Sequence, residues 1–168
     1  ATLVVSADNF IAEDLIIENS FNQYISQKES EDVVVLGDGN KGVRPVAYGE
    51  TSVQNRSFVE RAAAIGIANG TDKVLLDKCR IVGRQDSFFG GSDARVAVYR
   101  GKMMGAVDYI FGGMNATFYH SDFVLNTSDT AGDAAYITAA QQDSGRGYLM
   151  YECNVISSIP EVETASVY

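Results

Sequence analysis

The sequence predicts an all-β fold, a parallel β-helix whose coils run to roughly 22 residues, and three observations carry that prediction. Residues 83–89 (GRQDSFF) and 105–111 (GAVDYIF) repeat each other, glycine on glycine, aspartate on aspartate and phenylalanine on phenylalanine, at an offset of 108 − 86 = 22. A fixed period of about twenty residues marks a solenoid in which each repeat stacks on the next. The 16 glycines and the many Val, Ile, Tyr and Phe residues favour strands and tight turns. No segment carries an amphipathic helical stripe with caps, so strand follows strand, which suits a β-helix better than a sandwich.

The elements follow in order as short apolar strands joined by small or polar turns. They are residues 9–19 (NFIAEDLIIEN), 62–68 (AAAIGIA), 74–82 (VLLDKCRIV), 96–104 (VAVYRGKMM), 116–125 (ATFYHSDFVL) and 147–156 (GYLMYECNVI). In the first, Phe10, Leu15 and Ile17 are expected to face inward and Glu13, Asp14 and Glu18 outward. Residues 20–55, 126–144 and 157–164 are polar or small and read as loops inserted into coils. Inside the first loop, residues 33–36 (VVVL) suggest a strand and residues 37–40 (GDGN) a plain turn. The later ligands of a calcium loop are missing there. The last residues, Ser166, Val167 and Tyr168, read as a strand.

At 168 residues and 46% hydrophobic, the chain can bury one sizeable core, and 1–168 is read as a single β-helix domain. Its first and last residues look cut from a longer solenoid, since solenoids usually end in polar caps. A net charge of −9 argues against nucleic acid or an anionic membrane as partner. Two cysteines 153 − 79 = 74 residues apart make neither a disulfide framework nor a metal site. They read as small buried residues in two rungs, and no metal or cofactor is expected.

The repeat makes one chemical prediction. If the rungs are hydrogen-bonded strands, aligned residues lie about 4.8 Å apart. Asp86 and Asp108 then share one face, and like charges kept that close call for a use. The competing reading makes both aspartates turn residues at the ends of rungs.

At these motifs the sequence resembles the pectin methylesterases (pectinesterases). Residues 83–89 look like that family's G-[YR]-Q-D-T-L-Y, and residues 105–112 (GAVDYIFG) like its G-x-V-D-F-I-F-G. Residues 9–19 are similar to its early strand, residues 137–142 (ITAAQQ) to its I-T-A-Q element, and residues 152–155 (ECNV) to its N-C-x-[IV] strand. The resemblance implies a right-handed parallel β-helix and hydrolysis of galacturonate methyl esters. It further implies Asp108 as nucleophile, Asp86 as general acid/base and Gln85 as oxyanion donor. Phe88, Phe89 and Tyr109 are expected to meet substrate, with Phe111 as further sugar-facing or core surface. Pectin is the implied partner, the cell exterior the implied location, and a monomer the expected state.

Two departures stand out. The family carries a glutamine before an A-V-A-L strand, where this chain has Arg61, Ala62, Ala63, Ala64 and Ile65; Gln54 is a candidate substitute. An arginine in an L-G-R-P-W motif pairs with the family's nucleophile, and Tyr168 falls where that motif is expected to begin. Weak or absent activity is therefore expected of this chain by itself. His120, the single histidine, has no G-x-S-x-G serine elbow to serve and reads as a core or surface residue. Arg84, Arg95 and Arg100 read as solvated surface charge in preference to binders of free carboxylates. The competing functions are a non-catalytic polysaccharide-binding or structural β-helix, and a pectin lyase or polygalacturonase. The last two are disfavoured because neither a basic lyase site nor their paired-aspartate motif is present.

Overall fold

A computed structural model describes residues 1–19, 33–35, 41–43, 61–125, 133–143, 145–157 and 164–167. Among them every regular element is a strand. The first coil comprises β1 (Leu3–Val5), β2 (Ile11–Glu13) and β3 (Ile16–Glu18). An antiparallel pair follows, β4 (Val33–Val35) with β5 (Lys41–Val43). The second coil is β6 (Ile65–Ile67), β7 (Val74–Asp77) and β8 (Arg80–Val82). The third is β9 (Phe88–Gly90), β10 (Arg95–Tyr99) and β11 (Lys102–Gly105). The fourth is β12 (Ile110–Gly112), β13 (Asn115–Tyr119) and β14 (Asp122–Leu125). After β15 (Asp133–Ala135) the fifth coil is β16 (Thr138–Ala140), β17 (Tyr148–Tyr151) and β18 (Asn154–Ser157), and β19 (Thr164–Val167) pairs with β15.

Stacked coils give three five-stranded parallel sheets, here sheet 1 (β1-β6-β9-β12-β16), sheet 2 (β2-β7-β10-β13-β17) and sheet 3 (β3-β8-β11-β14-β18). This is a parallel β-helix, as expected. The period follows from the register: 96 − 74 = 22 in sheet 2, 103 − 81 = 22 in sheet 3 and 110 − 88 = 22 in sheet 1. Between the first two coils the offset is 65 − 3 = 62, so the long polar stretch is inserted without disturbing the ladder. Insertion is cheap because closing a longer loop costs little additional entropy.

Strand alternation builds the core. In β10 and β13, Val96, Val98, Ala116 and Phe118 are buried while Ala97 and Thr117 are exposed. Inside the coil Phe118 packs edge-on against both Phe88 and Phe123, with ring centroids 6.4 and 5.3 Å apart. Cys79 lies buried and Cys153 half-buried, both as free thiols, at the same inner corner three coils apart. Their Sγ atoms donate to the carbonyls of Ala12 and Phe118.

Several expectations need correction. Leu15, expected inward, is 46% exposed, because the left-handed Asp14 before it turns the chain; Ala12 takes an inward place instead. The stretch 126–144, read as a loop, contributes the rung strand β16 and the paired strand β15. Arg84, read as solvated, is buried. The strand expected at 33–36 and the one at the last residues are present as β4 and β19, while the turn at 37–40 and Gln54 lie outside the described residues.

Candidate active site

The two aspartate motifs form the corner that leads from sheet 3 into sheet 1. Gln85 bridges Val107 in parallel fashion, and the backbone N–H of Asp86 donates to the carbonyl of Val107 at 3.1 Å. With Phe88 opposite Ile110, the 22-residue register runs unbroken through the corner and sets Asp86 against Asp108 on neighbouring rungs. The glycines of the motif have a steric reason. A Cβ at Gly83 would run into the side chain of Ser87, and one at Gly105 into that of Tyr109.

Both aspartates turn the chain through the left-handed region, with φ of 57° at Asp86 and 46° at Asp108. Aspartate tolerates that conformation better than most residues. The turn-residue reading is therefore correct as far as backbone goes. It does not account for burial: Asp86 is only 8% exposed, while Asp108 is half-buried. Burial, and to a lesser degree the Asp108 charge, push the Asp86 carboxyl above the ordinary carboxylate range, and Arg61 pulls the other way. The Arg61 Nε lies 3.5 Å from Asp86 Oδ2. Gln85 is half-buried beside the pair.

The expected substrate-facing aromatics divide. Phe88 and Tyr109 are 0% and 1% exposed and belong to the core, so neither presents its ring at the surface. The Tyr109 hydroxyl is buried without a hydrogen-bond partner among the described residues, and burial raises its pKa well above the ordinary tyrosine value. Phe89 and Phe111 are half-buried on the outer face of sheet 1, neighbours in register with tilted rings whose centroids lie 5.0 Å apart. They border a hollow of about 290 Å³ whose other walls include Val4, Ala63, Gly66 and Ala68.

Arg61 is the site residue whose role sequence reasoning missed; its place four residues before β6 was the available signal. Arg95 and Arg100 are committed to Asp72 and Asp77 respectively. No cluster of three or more metal-ligating side chains occurs among the described residues.

Fold and corner together define a parallel β-helix protein with two register-stacked acids beside an aromatic hollow. The Pectinesterase family profile matches residues 40–167, and the chain belongs to that family. It is 28% identical over 110 residues to a probable pectinesterase A of Aspergillus flavus, covering 64% of this chain and 32% of that protein. It is also 28% identical over 97 residues to the probable pectinesterase/pectinesterase inhibitor 64 of Arabidopsis thaliana, covering 58% of this chain and 15% of that protein. The chain thus spans a third or less of the curated relatives it matches. In structure it is similar to pectin methylesterase PemA from Erwinia chrysanthemi (TM-score 0.66, 22% identity, 94% of this chain and 42% of that one). It is likewise similar to a pectin methylesterase mutant in complex with a hexasaccharide (TM-score 0.65, 23% identity, 94% and 42%).

Proposed function

We propose that this chain is the acid-bearing β-helix segment of a pectin methylesterase, removing methyl groups from the C6 esters of galacturonate in pectin. One observation carries the reading: register stacks Asp86 on Asp108, and burial together with the second charge favours the protonated form of Asp86. Two adjacent carboxylates in unequal surroundings divide into an acid and a base.

In this mechanism the ionised Asp108 attacks the ester carbonyl and forms a tetrahedral adduct. The Gln85 amide donates to the oxygen that becomes negative. The C–O bond to the methoxy group breaks, the proton of Asp86 goes to that oxygen, and methanol leaves an anhydride on Asp108. Asp86, now ionised, takes a proton from water, which attacks the anhydride and restores Asp108 while freeing the galacturonate carboxyl. Phe89 and Phe111 supply an apolar surface against which a sugar face can lie. Family membership supports the substrate class, and a neutral methylated polymer suits a chain of net charge −9 better than an ionised one. A secreted monomer with residues 1–168 forming one β-helix domain completes the reading.

Methanol release from highly methylated pectin tests it, using the full-length protein to which this segment belongs, with its strand content checked by circular dichroism. Release without shortening of the polymer is the expected result. A folded full-length protein that releases none transfers the reading to a non-catalytic polysaccharide-binding or structural β-helix.

A further inference from the structure

Three successive rungs at the acid corner carry Arg61, Asp86 and Asp108 in that order. Ala62 N–H donates to the carbonyl of Gln85 at 3.2 Å, and Asp86 N–H donates to that of Val107 at 3.1 Å. Asp86 therefore sits in the middle, with a guanidinium on the rung before it and a carboxylate on the rung after. The Arg61 Nε to Asp86 Oδ2 distance is 3.5 Å, and the two side chains are 79% and 12% exposed. Arg61 opens the stretch Arg61–Ile65, which by the resemblance stands where the family carries a glutamine. A glutamine there offers a neutral amide, whereas a guanidinium brings a fixed positive charge at every working pH.

We propose that Arg61 is the cation of the acid pair, a positioning residue that holds the Asp86 carboxylate from the rung below and offsets the negative charge that Asp86 and Asp108 would otherwise confront unscreened. This rests on the reading of Asp86 as acid/base partner. Among the described residues the charges acting on Asp86 are Arg61, which favours its ionised form, and Asp108, which opposes it. Tyr109, on the neighbouring rung, stays neutral throughout the relevant range. The pair thus has a pull and a push from opposite sides. A glutamine at 61 would leave only the push.

The test is a carbon-detected NMR titration of the Asp86 carboxyl in the full 168-residue chain. Arg61→Gln should move its midpoint upward, Arg61→Lys should keep it near that of the unmodified chain, and Asp108→Asn should move it downward. The Arg61→Gln difference should shrink as salt is raised, because the screening length falls from about 10 Å at 0.1 M to about 3 Å at 1 M. Backbone amide spectra confirm the fold, and Arg61→Ala serves as a second variant of the exposed side chain. An unchanged midpoint in Arg61→Gln overturns the proposal, as does an equal shift in Arg61→Gln and Arg61→Lys. Where methanol release is measurable, Arg61→Gln should lower kcat about tenfold, a modest share of what acid–base catalysis supplies, with little change in KM. A chain that titrates as described, within a full-length protein that releases no methanol, would retain this role for Arg61 and lose the esterase reading.

Discussion

At the corner between sheets 2 and 3, Asp14, Lys78, Arg100, His120 and Glu152 turn the chain through positive φ, and at the corner before sheet 1 Asp86 and Asp108 do the same. The first corner is solvated and its polar side chains find complementary partners. Arg100 pairs with Asp77 at 2.8 Å and lies over the ring of Tyr99, His120 meets Glu152 at 2.9 Å, and Lys78 meets Glu13 at 3.5 Å. Beside them Tyr99, Tyr119 and Tyr151 form a stacked ladder with centroids 5.4 and 5.5 Å apart. The second corner places like charges on adjacent rungs and buries one of them. The comparison separates backbone demand from chemistry. Lys, Arg, His and Glu all make the same turn, so the turn alone does not require aspartate at 86 and 108. Sequestering a carboxylate beside another is unfavourable and points to use.

Substitutions can sharpen this contrast, beginning with the largest effect. In an active full-length protein, Asp108→Asn should lower kcat for methanol release by several orders of magnitude with the circular dichroism spectrum intact, because it removes the proposed attacking group. Near-normal turnover would remove Asp108 from that role. Phe118→Ala, in the core beneath both corners, should cost about 3–5 kcal/mol in urea unfolding, the range for emptying a buried aromatic site. Gly105→Ala should cost about 1–3 kcal/mol, since its methyl meets Tyr109 in a packed turn. A cost near zero would show that the acid corner is looser than its geometry implies.

The next prediction concerns pH. The Asp86 pKa is raised above its ordinary 3.8 by burial and by Asp108, so the folded chain holds that proton more tightly than the unfolded one. The resulting stabilisation is full below pH 3.8 and is lost as pH rises through the folded midpoint. Asp86→Asn should therefore stabilise the chain at neutral pH and lose that advantage in acid, as read from urea midpoints at the two pH values. The smallest effect belongs to the solvated corner. Arg100→Ala should leave the thermal midpoint almost where it was, because exposed ion pairs contribute little.

Much of this was legible in the chain. The period came through because a coil must return to the same face each turn, and that constraint imprints Gly83 on Gly105 and Asp86 on Asp108 at the offset the strands adopt. Alternation likewise announced β10 and β13. The aromatics were harder to place. Phe88 and Phe89 are neighbours of one type, yet one is core and the other groove, and only the phase of β9 separates them. Leu15 was misplaced because a single left-handed residue shifts that phase.

The chain by itself determined the repeat, the glycines its turns require and the pairing of two acids, since each depends on local sterics and a fixed period. Tertiary structure alone decided which acid is buried, which rings face outward and that Arg61 reaches Asp86. Those outcomes depend on which rungs become neighbours across gaps of 22, 23 or 62 residues, and no local pattern encodes the solvent that a neighbouring rung excludes.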